Sequence, residues 1–170
     1  MVILFAERKS KNEREIIEIL KKYGADHISD GEINLTKSRF TVVTAYKKTN
    51  LVIESGIAVY TDNTNRFKAQ KHPIGIIGIC EENNTSAFKI FKKSNNAVIT
   101  CGANRKNTLT FSSANSKFLM MSIQRTIIDQ NGNTIDPCEL KIELTKSYSA
   151  FSVMVCAGIL LLNGIKPQKF

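Results

Sequence analysis

The sequence lacks the long apolar runs that membrane or exported proteins carry. Its longest apolar run, residues 150–162, contains Ser152 and Gly158 and is shorter than the roughly 20 residues that span a bilayer. The apolar start at Met1–Ala6 is followed at once by Glu7-Arg8-Lys9, so it is too short for an export signal. We therefore expect a cytoplasmic protein with no membrane partner, in which residues 150–162 form a buried core helix.

Histidines and paired cysteines are also scarce. The cysteines form no C-x-x-C pair, and only His27 and His72 could join them as metal ligands, so a structural zinc site would need distant ligands. Both histidines are expected in polar, loop-like segments. We expect no metal, no cofactor and four reduced thiols, at Cys80, Cys101, Cys138 and Cys156.

Several catalytic motifs are missing as well. There is no G-x-x-x-x-G-K-[ST] loop, and the turn after the first apolar stretch, E-R-K-S-K, has no glycine that would let the backbone approach a pyrophosphate. No H-E-x-x-H or G-x-S-x-G sequence occurs. These absences predict no catalytic residues and favour a protein that is not an enzyme, although an enzyme of unrecognised design stays open.

The charge balance is the one unusual feature of the composition. Among 170 residues, 24 lysines and arginines against 15 acidic residues give a formal net charge of +9. Such a charge attracts nucleic acid, so a basic nucleic-acid-binding module is one alternative function. The basic residues are dispersed in small groups without interleaved aromatics, which favours the simpler interpretation of a solvated basic surface.

The beginning of the chain has the pattern of a strand followed by a capped helix. The apolar run Val2–Ala6 predicts a strand that is buried on both faces. Ser10 and Glu13 have the S-x-x-E spacing of a capping box, in which each side chain accepts a hydrogen bond from a backbone amide of the first turn. Gly24 is the expected end of this helix.

A second strand–helix–strand unit follows later in the chain. Ile74–Cys80 predicts a buried strand, and Ala97–Cys101 predicts the strand after it. Between them lie the cap residues Asn83 and Asn84 and a segment with the apolar spacing of a helix. Because this crossover is short, we expect the two strands to be parallel neighbours.

The remaining pattern completes the prediction of the fold. β-branched and aromatic residues predict strands at Phe40–Tyr46, Leu51–Ile53, Ile57–Tyr60, Leu109–Ser112, Phe118–Ile128 and Ile135–Leu144. Asn131-Gly132 predicts a hairpin turn between the last two, and Tyr148–Leu162 predicts a closing helix. We predict one α/β domain over residues 1–170, a Rossmann-like three-layer fold with a mostly parallel sheet and an antiparallel hairpin extension.

Ligands of open parallel sheets bind beyond the carboxyl ends of the strands, and this rule selects the candidate site residues. The candidate ligand-binding residues are Glu81, Asn83, Asn84, Cys101 and Gly102. Asn83 and Asn84 allow a second interpretation, since asparagines just before a helix are also common helix caps. Cys80 and Cys101 end consecutive strands and could lie side by side, as a redox or metal pair or as small buried side chains.

The second half of the chain resembles the later part of the central domain of Mur-type amino-acid ligases, the family that includes folylpolyglutamate synthases. The resemblance rests on IGIIGICEENN at Ile74–Asn84, VITCG at Val98–Gly102, and the apolar helix with its closing Gly-Ile within Ser149–Pro167. It implies an adenine-side turn near Glu81, Asn83 and Asn84.

The departures from that family are equally informative. Tyr148 and Ser149 stand where the family has a histidine-asparagine pair, and neither its ATP-binding loop nor its metal-binding carboxylate is found upstream. The resemblance therefore implies a non-catalytic Mur-ligase-like domain. We expect such a domain to bind an unknown partner protein or a nucleotide-like ligand at the strand ends.

Overall fold

The computed structural model describes residues 1–36, 38–61, 67 and 70–170. The helices are α1 (Lys11–Lys22), α2 (Thr85–Ser94) and α3 (Ala150–Leu162). The strands in chain order are β1 (Val2–Phe5), β2 (Ala25–Ser29), β3 (Glu32–Asn34), β4 (Phe40–Ala45), β5 (Ser55–Tyr60), β6 (Gly75–Glu81), β7 (Ala97–Cys101), β8 (Leu109–Ala114), β9 (Phe118–Ile123), β10 (Ile127–Ile128), β11 (Thr134–Ile135) and β12 (Cys138–Glu143).

Ten of these strands form one sheet, in the order β12-β9-β8-β7-β6-β5-β1-β4-β2-β3. The strands from β8 to β2 in this order are paired in parallel, whereas β9, β12 and β3 are antiparallel additions at the two edges. As predicted, β6 and β7 are parallel neighbours, with Glu81 opposite Cys101. The predicted fold class, a mostly parallel α/β sheet with an antiparallel extension, is confirmed.

The helices cover both faces of the sheet. On one face, α1 and α3 pack against each other and against a core that includes Val2 and Leu4 of β1. On the other face, α2 packs on a second core that includes Ile3 and Phe5. Successive side chains of β1 therefore enter different cores, which explains why this strand is apolar at every position.

The helix α3 is apolar nearly all round because most of its surface is covered. Its neighbours are α1 and the strands β6, β7, β8 and β9, and Val153, Val155 and Ile159 are fully buried. Across the described part of the chain, no helix combines the length and apolar character that crossing a membrane requires.

Several predicted strands have different limits in the structure. Leu51–Ile53 is not a strand, while β2 and β3 were not predicted because ADHIS and EIN are too polar for a strand pattern. Phe118–Ile128 is divided into β9 and β10, and Ile135–Leu144 into β11 and β12. In the second case Pro137, which has no amide to donate to a sheet, separates the two strands.

Asn131-Gly132 lies between the short strands β10 and β11 as part of a tight turn. The Asp129 carboxylate accepts hydrogen bonds from the backbone amides of Asn131 and Asn133, each at 2.8 Å. Gly132 has a φ of 84°, the left-handed region that favours glycine. The hairpin position was thus predicted, but the strands it joins pair only over two residues.

His72 lies outside the helices and strands, as expected, but its surroundings are not polar, since the side chain is buried among aromatic rings. Its ring stacks on Phe91 with the centroids 5.4 Å apart, and its Nε2 lies 2.9 Å from the Tyr60 hydroxyl oxygen. Burial lowers the pKa of His72 from 6.5 to about 4. The imidazole is therefore neutral in the folded protein at neutral pH.

This burial predicts that the protein loses stability as the pH falls. Between pH 6.5 and about 4 the unfolded chain binds a proton at His72 that the folded chain does not, so stability is complete above this window and declines within it. One proton contributes a slope of at most about 1.4 kcal/mol per pH unit. Urea unfolding measures the free energy of unfolding at pH 7 and at pH 5. The decrease between these two pH values should be smaller for His72→Gln than for the wild type, and equal decreases would contradict this assignment.

Candidate functional site

The connection between β1 and α1 is a tight, glycine-free turn. The Ser10 amide donates to the Glu7 carbonyl at 3.0 Å, and Lys9 adopts a positive φ of 62°. Ser10 is the N-cap of α1, and its hydroxyl accepts a hydrogen bond from the Glu13 amide at 3.3 Å. This is the strand–loop–helix position at which P-loop proteins present free backbone amides to phosphate.

The carboxylate of Glu13 already accepts a hydrogen bond from a backbone amide of this turn, that of Lys9. It accepts hydrogen bonds from the Lys9 amide and from the Tyr46 hydroxyl, both at 2.5 Å, and Glu13 is only 4% exposed. A capping box would pair Glu13 with the amide of Ser10, so the predicted motif is present with its second bond moved to Lys9. A negative group therefore lies at the N-terminus of α1, where the helix dipole stabilises it.

Tyr46 fixes the second oxygen of this carboxylate. Burial and the hydrogen bond to Glu13 raise the pKa of Tyr46 to about 12, so its hydroxyl remains a donor at neutral pH. The Arg8 guanidinium lies over the Tyr46 ring at 4.9 Å and also pairs with Asp30. These contacts join the β1–α1 turn to the ends of β4 and β2.

Beside this cluster is a cleft of about 500 Å³, which we call the β1–β4–β2 cleft because it lies at the carboxyl ends of those strands. Its charged walls are formed by Arg8, Lys9, Glu13, Arg14, Glu18, Lys21, Asp30 and Glu32. Lys21 pairs with Glu32 at 2.7 Å. Arg14, by contrast, is exposed and makes no ion pair with another described residue.

His27 lines the same cleft from β2, although the sequence placed it in a loop. It is only 3% exposed, and its Nε2 lies 3.0 Å from the Thr44 hydroxyl oxygen. Its Nδ1 is 3.5 Å from the Glu32 carboxylate. Burial lowers the pKa of His27, and the nearby Glu32 opposes this effect.

The residues selected from the sequence lie at the ends of β6 and β7, outside the lining of the β1–β4–β2 cleft. Asn84 is the N-cap of α2, and its side chain accepts a hydrogen bond from the Ala87 amide at 3.0 Å. Cys101 is fully buried, Asn83 is exposed and Glu81 is half-buried. These five residues therefore stay a prediction of a ligand position.

Polar side chains fill the space next to Gly102. The Glu82 carboxylate accepts a hydrogen bond from the Asn107 side chain at 2.6 Å. A Cβ added at Gly102 would come within 2.6 Å of the Glu82 carboxyl carbon. A larger residue here would have to displace the ends of the Glu82 and Asn107 side chains.

Cys80 and Cys101 do not lie side by side, which corrects the prediction. Cys80 is opposite Thr100, so Cys101 is one residue out of register with it. Because side chains alternate along a strand, Cys80 enters the core beneath α2 and Cys101 the core beneath α3. Burial raises the pKa of Cys80 to about 12 and that of Cys101 well above the ordinary value, so neither is a reactive thiolate.

The start of α3 is held by α1. Ser149 is the N-cap of α3, and its amide donates to the Glu15 carboxylate at 3.0 Å. The Tyr148 hydroxyl donates to the Glu18 carboxylate at 2.9 Å. Tyr148 and Ser149, which the sequence resemblance aligns with the histidine-asparagine pair of the Mur-type ligases, therefore both make contacts with α1. In the part of the chain that is described, no three or more His, Cys, Asp or Glu side chains group as a metal site would require.

The sequence matches no protein-family model and no curated protein sequence. The structure is similar to that of UDP-N-acetylmuramate:L-alanyl-gamma-D-glutamyl-meso-diaminopimelate ligase from Neisseria meningitides, with a TM-score of 0.54 and 11% sequence identity. The similarity covers 99% of this chain but 62% of the ligase chain, so this chain spans less than two thirds of that protein. The fold is therefore Mur-ligase-like, and the similarity includes the first half of the chain as well as the part after Ile74.

Proposed function

We propose that this chain is a Mur-ligase-like domain that binds a nucleotide-like ligand at the carboxyl ends of its parallel strands and does not transfer phosphate. The observation that carries the proposal is the Glu13 carboxylate on the Lys9 amide. A P-loop binds phosphate through unoccupied amides and a lysine that follows a glycine. Here the amide is taken by an internal anion, and a second anion at the same place would be repelled.

The β1–β4–β2 cleft supports the ligand part of the proposal. Its volume of about 500 Å³ is within the range of small-molecule sites. Arg14 offers a guanidinium to an anionic group, and the half-buried Ile17 offers an apolar surface to a ring. A ligand bound in this way would lie beside the turn rather than inside it.

Calorimetric titration with ATP, ADP and UMP in the presence of Mg²⁺ tests this proposal. We expect binding without nucleotide hydrolysis, and we expect Arg14→Gln to weaken it at least fivefold because a charge-assisted hydrogen bond is removed. Arg125→Gln removes the same charge from an exposed residue outside the cleft and should leave the affinity unchanged. Steady turnover of any of these nucleotides would contradict the proposal.

Two further forms of the proposal are separated by this calorimetric titration together with amide shift mapping of the ¹⁵N-labelled protein. Amide shifts confined to Glu81, Asn83, Asn84, Cys101 and Gly102 would place the ligand at the ends of β6 and β7 instead. If no nucleotide produces heat on titration, nucleotide binding is excluded, and the remaining form of the proposal is that these strand ends bind a partner protein.

Nucleic-acid binding is the second candidate, favoured by a separate basic cleft of about 460 Å³. Lys117, Lys141 and Lys169 line it, and the Lys141 ammonium lies 5.2 Å from the centre of the Phe118 ring. Proteins that bind single-stranded nucleic acids combine a basic groove with aromatic side chains in this way.

This candidate predicts a salt-dependent affinity for a single-stranded oligonucleotide. The triple variant K117Q/K141Q/K169Q should reduce the slope of log K against log[salt] by about 0.7 for each phosphate that it no longer neutralises. The variant K89Q/K92Q/K93Q removes the same charge from exposed positions of α2 and is the matched control. Equal slopes for both triple variants would dismiss this cleft as the nucleic-acid site.

A further inference from the structure

A polar cleft on the antiparallel part of the sheet has no role in the functions considered so far. Its volume is about 430 Å³, and its polar lining consists of Arg105, Thr110, Ser112, Ser122, Gln124 and Glu139. It lies on the face of β8, β9 and β12 that points away from α3, because Leu109 and Ile123 face the core beneath α3 and their neighbours alternate to the other side. We call it the Thr110 cleft.

The strand register arranges the polar groups of this cleft in a row. Thr110 of β8 is opposite Ser122 of β9, and Ser122 is opposite Glu139 of β12. Arg105 belongs to the loop between β7 and β8 and so lies at the other end of the row. A cation and an anion thus stand at opposite ends of the cleft, with hydroxyl groups between them.

Neither charge is neutralised within the described residues. No ion pair of Arg105 or Glu139 is found there, although ion pairs are formed elsewhere on the surface by Lys21 and Lys146. Thr110 is only 4% exposed, and its hydroxyl has no hydrogen-bond partner among the residues described. A buried hydroxyl without a partner is uncommon in folded proteins and calls for an explanation.

We propose that the Thr110 cleft binds a small zwitterionic molecule of dipeptide size, with its carboxylate on Arg105 and its ammonium group on Glu139. Two strand spacings, about 10 Å, separate the backbones of β8 and β12. An extended dipeptide spans about 7 Å, and the long side chains at both ends bridge the remainder. Its peptide group would then lie over the accessible hydroxyls of Ser112 and Ser122, where it can exchange hydrogen bonds, and a rotation of the Thr110 side chain would bring the covered Thr110 hydroxyl to it.

Amide shift mapping with glycylglycine, N-acetyl-glycylglycine and glycylglycine amide tests the proposal. We expect saturable shifts at Arg105, Thr110 and Ser122, with at least fivefold weaker binding when either end of the dipeptide is blocked. The Glu139→Gln variant has lost the partner of the ammonium group, so it should bind N-acetyl-glycylglycine no more weakly than glycylglycine. The Arg105→Gln variant has lost the partner of the carboxylate, so it should bind glycylglycine amide no more weakly than glycylglycine. Glu143→Gln and Lys106→Gln are matched controls, each removing the same charge from an exposed position on the same strand or loop.

Thr110→Val separates a ligand contact from a structural role. The substitution keeps the shape of the side chain and removes a hydroxyl that has no partner, so the thermal midpoint should stay equal or rise while binding weakens. Three results would overturn the proposal: no shifts up to the solubility of glycylglycine, equal affinity for the blocked peptides, or unchanged affinity in both charge variants.

Discussion

Glu13→Ala is expected to destabilise the protein by about 2–4 kcal/mol, since it removes three stabilising interactions at once. The Lys9 amide and the Tyr46 hydroxyl are each left without their acceptor at 2.5 Å, and the N-terminus of α1 is left without a stabilising negative charge. Urea unfolding monitored by circular dichroism measures the destabilisation. Glu54→Ala, at an exposed position, should change stability by less than about 0.5 kcal/mol.

Two further variants show which hydrogen bond matters. Glu13→Gln keeps one acceptor oxygen, so it should lower the free energy of unfolding by less than Glu13→Ala does. Tyr46→Phe removes the hydroxyl alone, and the double variant with Glu13→Ala should cost less than the sum of the single changes because the two residues share a hydrogen bond. Full additivity would show that the Glu13–Tyr46 hydrogen bond contributes nothing.

Gly78→Val is expected to destabilise the protein by about 3 kcal/mol through overpacking in the core. Gly78 lies in β6 between β5 and β7, and a Cβ added there would come within 2.5 Å of the Phe91 ring. Thr41→Val places the same residue in β4, where the side chain is half-buried, and serves as the control.

The double variant Gly78→Val/Phe91→Leu tests the cause of that destabilisation. The smaller leucine leaves room for the added methyl groups, so the second change should recover part of the stability that the first removes. A Gly78→Val protein as stable as the wild type would show that α2 packs on β6 differently from the arrangement described.

Local patterns predicted the parts of the structure that depend on neighbouring residues. The S-x-x-E spacing predicted the start of α1, because Ser10 needs only the amide three residues ahead. It did not predict that the Glu13 carboxylate would bind the Lys9 amide and Tyr46, which is 33 positions away in sequence. Such a contact depends on β4 lying beside β1.

The candidate site shows the same limit more clearly. The rule that ligands bind at carboxyl ends of strands was applied to β6 and β7, whose apolar patterns are easy to recognise. The β1–β4–β2 cleft depends on β2, whose sequence ADHIS contains a buried Asp26 and a buried His27 and has no strand pattern. The relation of Cys80 to Cys101 depends on register, which a single sequence does not specify.

The Lys9 backbone amide reports on the central claim more directly than any other group. In a ¹⁵N-labelled wild-type protein titrated with ATP and Mg²⁺, we predict that its resonance keeps its position while signals from Arg14 and Ile17 move with saturation. A large downfield shift of the Lys9 amide, accompanied by ATP turnover, would show that phosphate displaces the Glu13 carboxylate and would contradict the account.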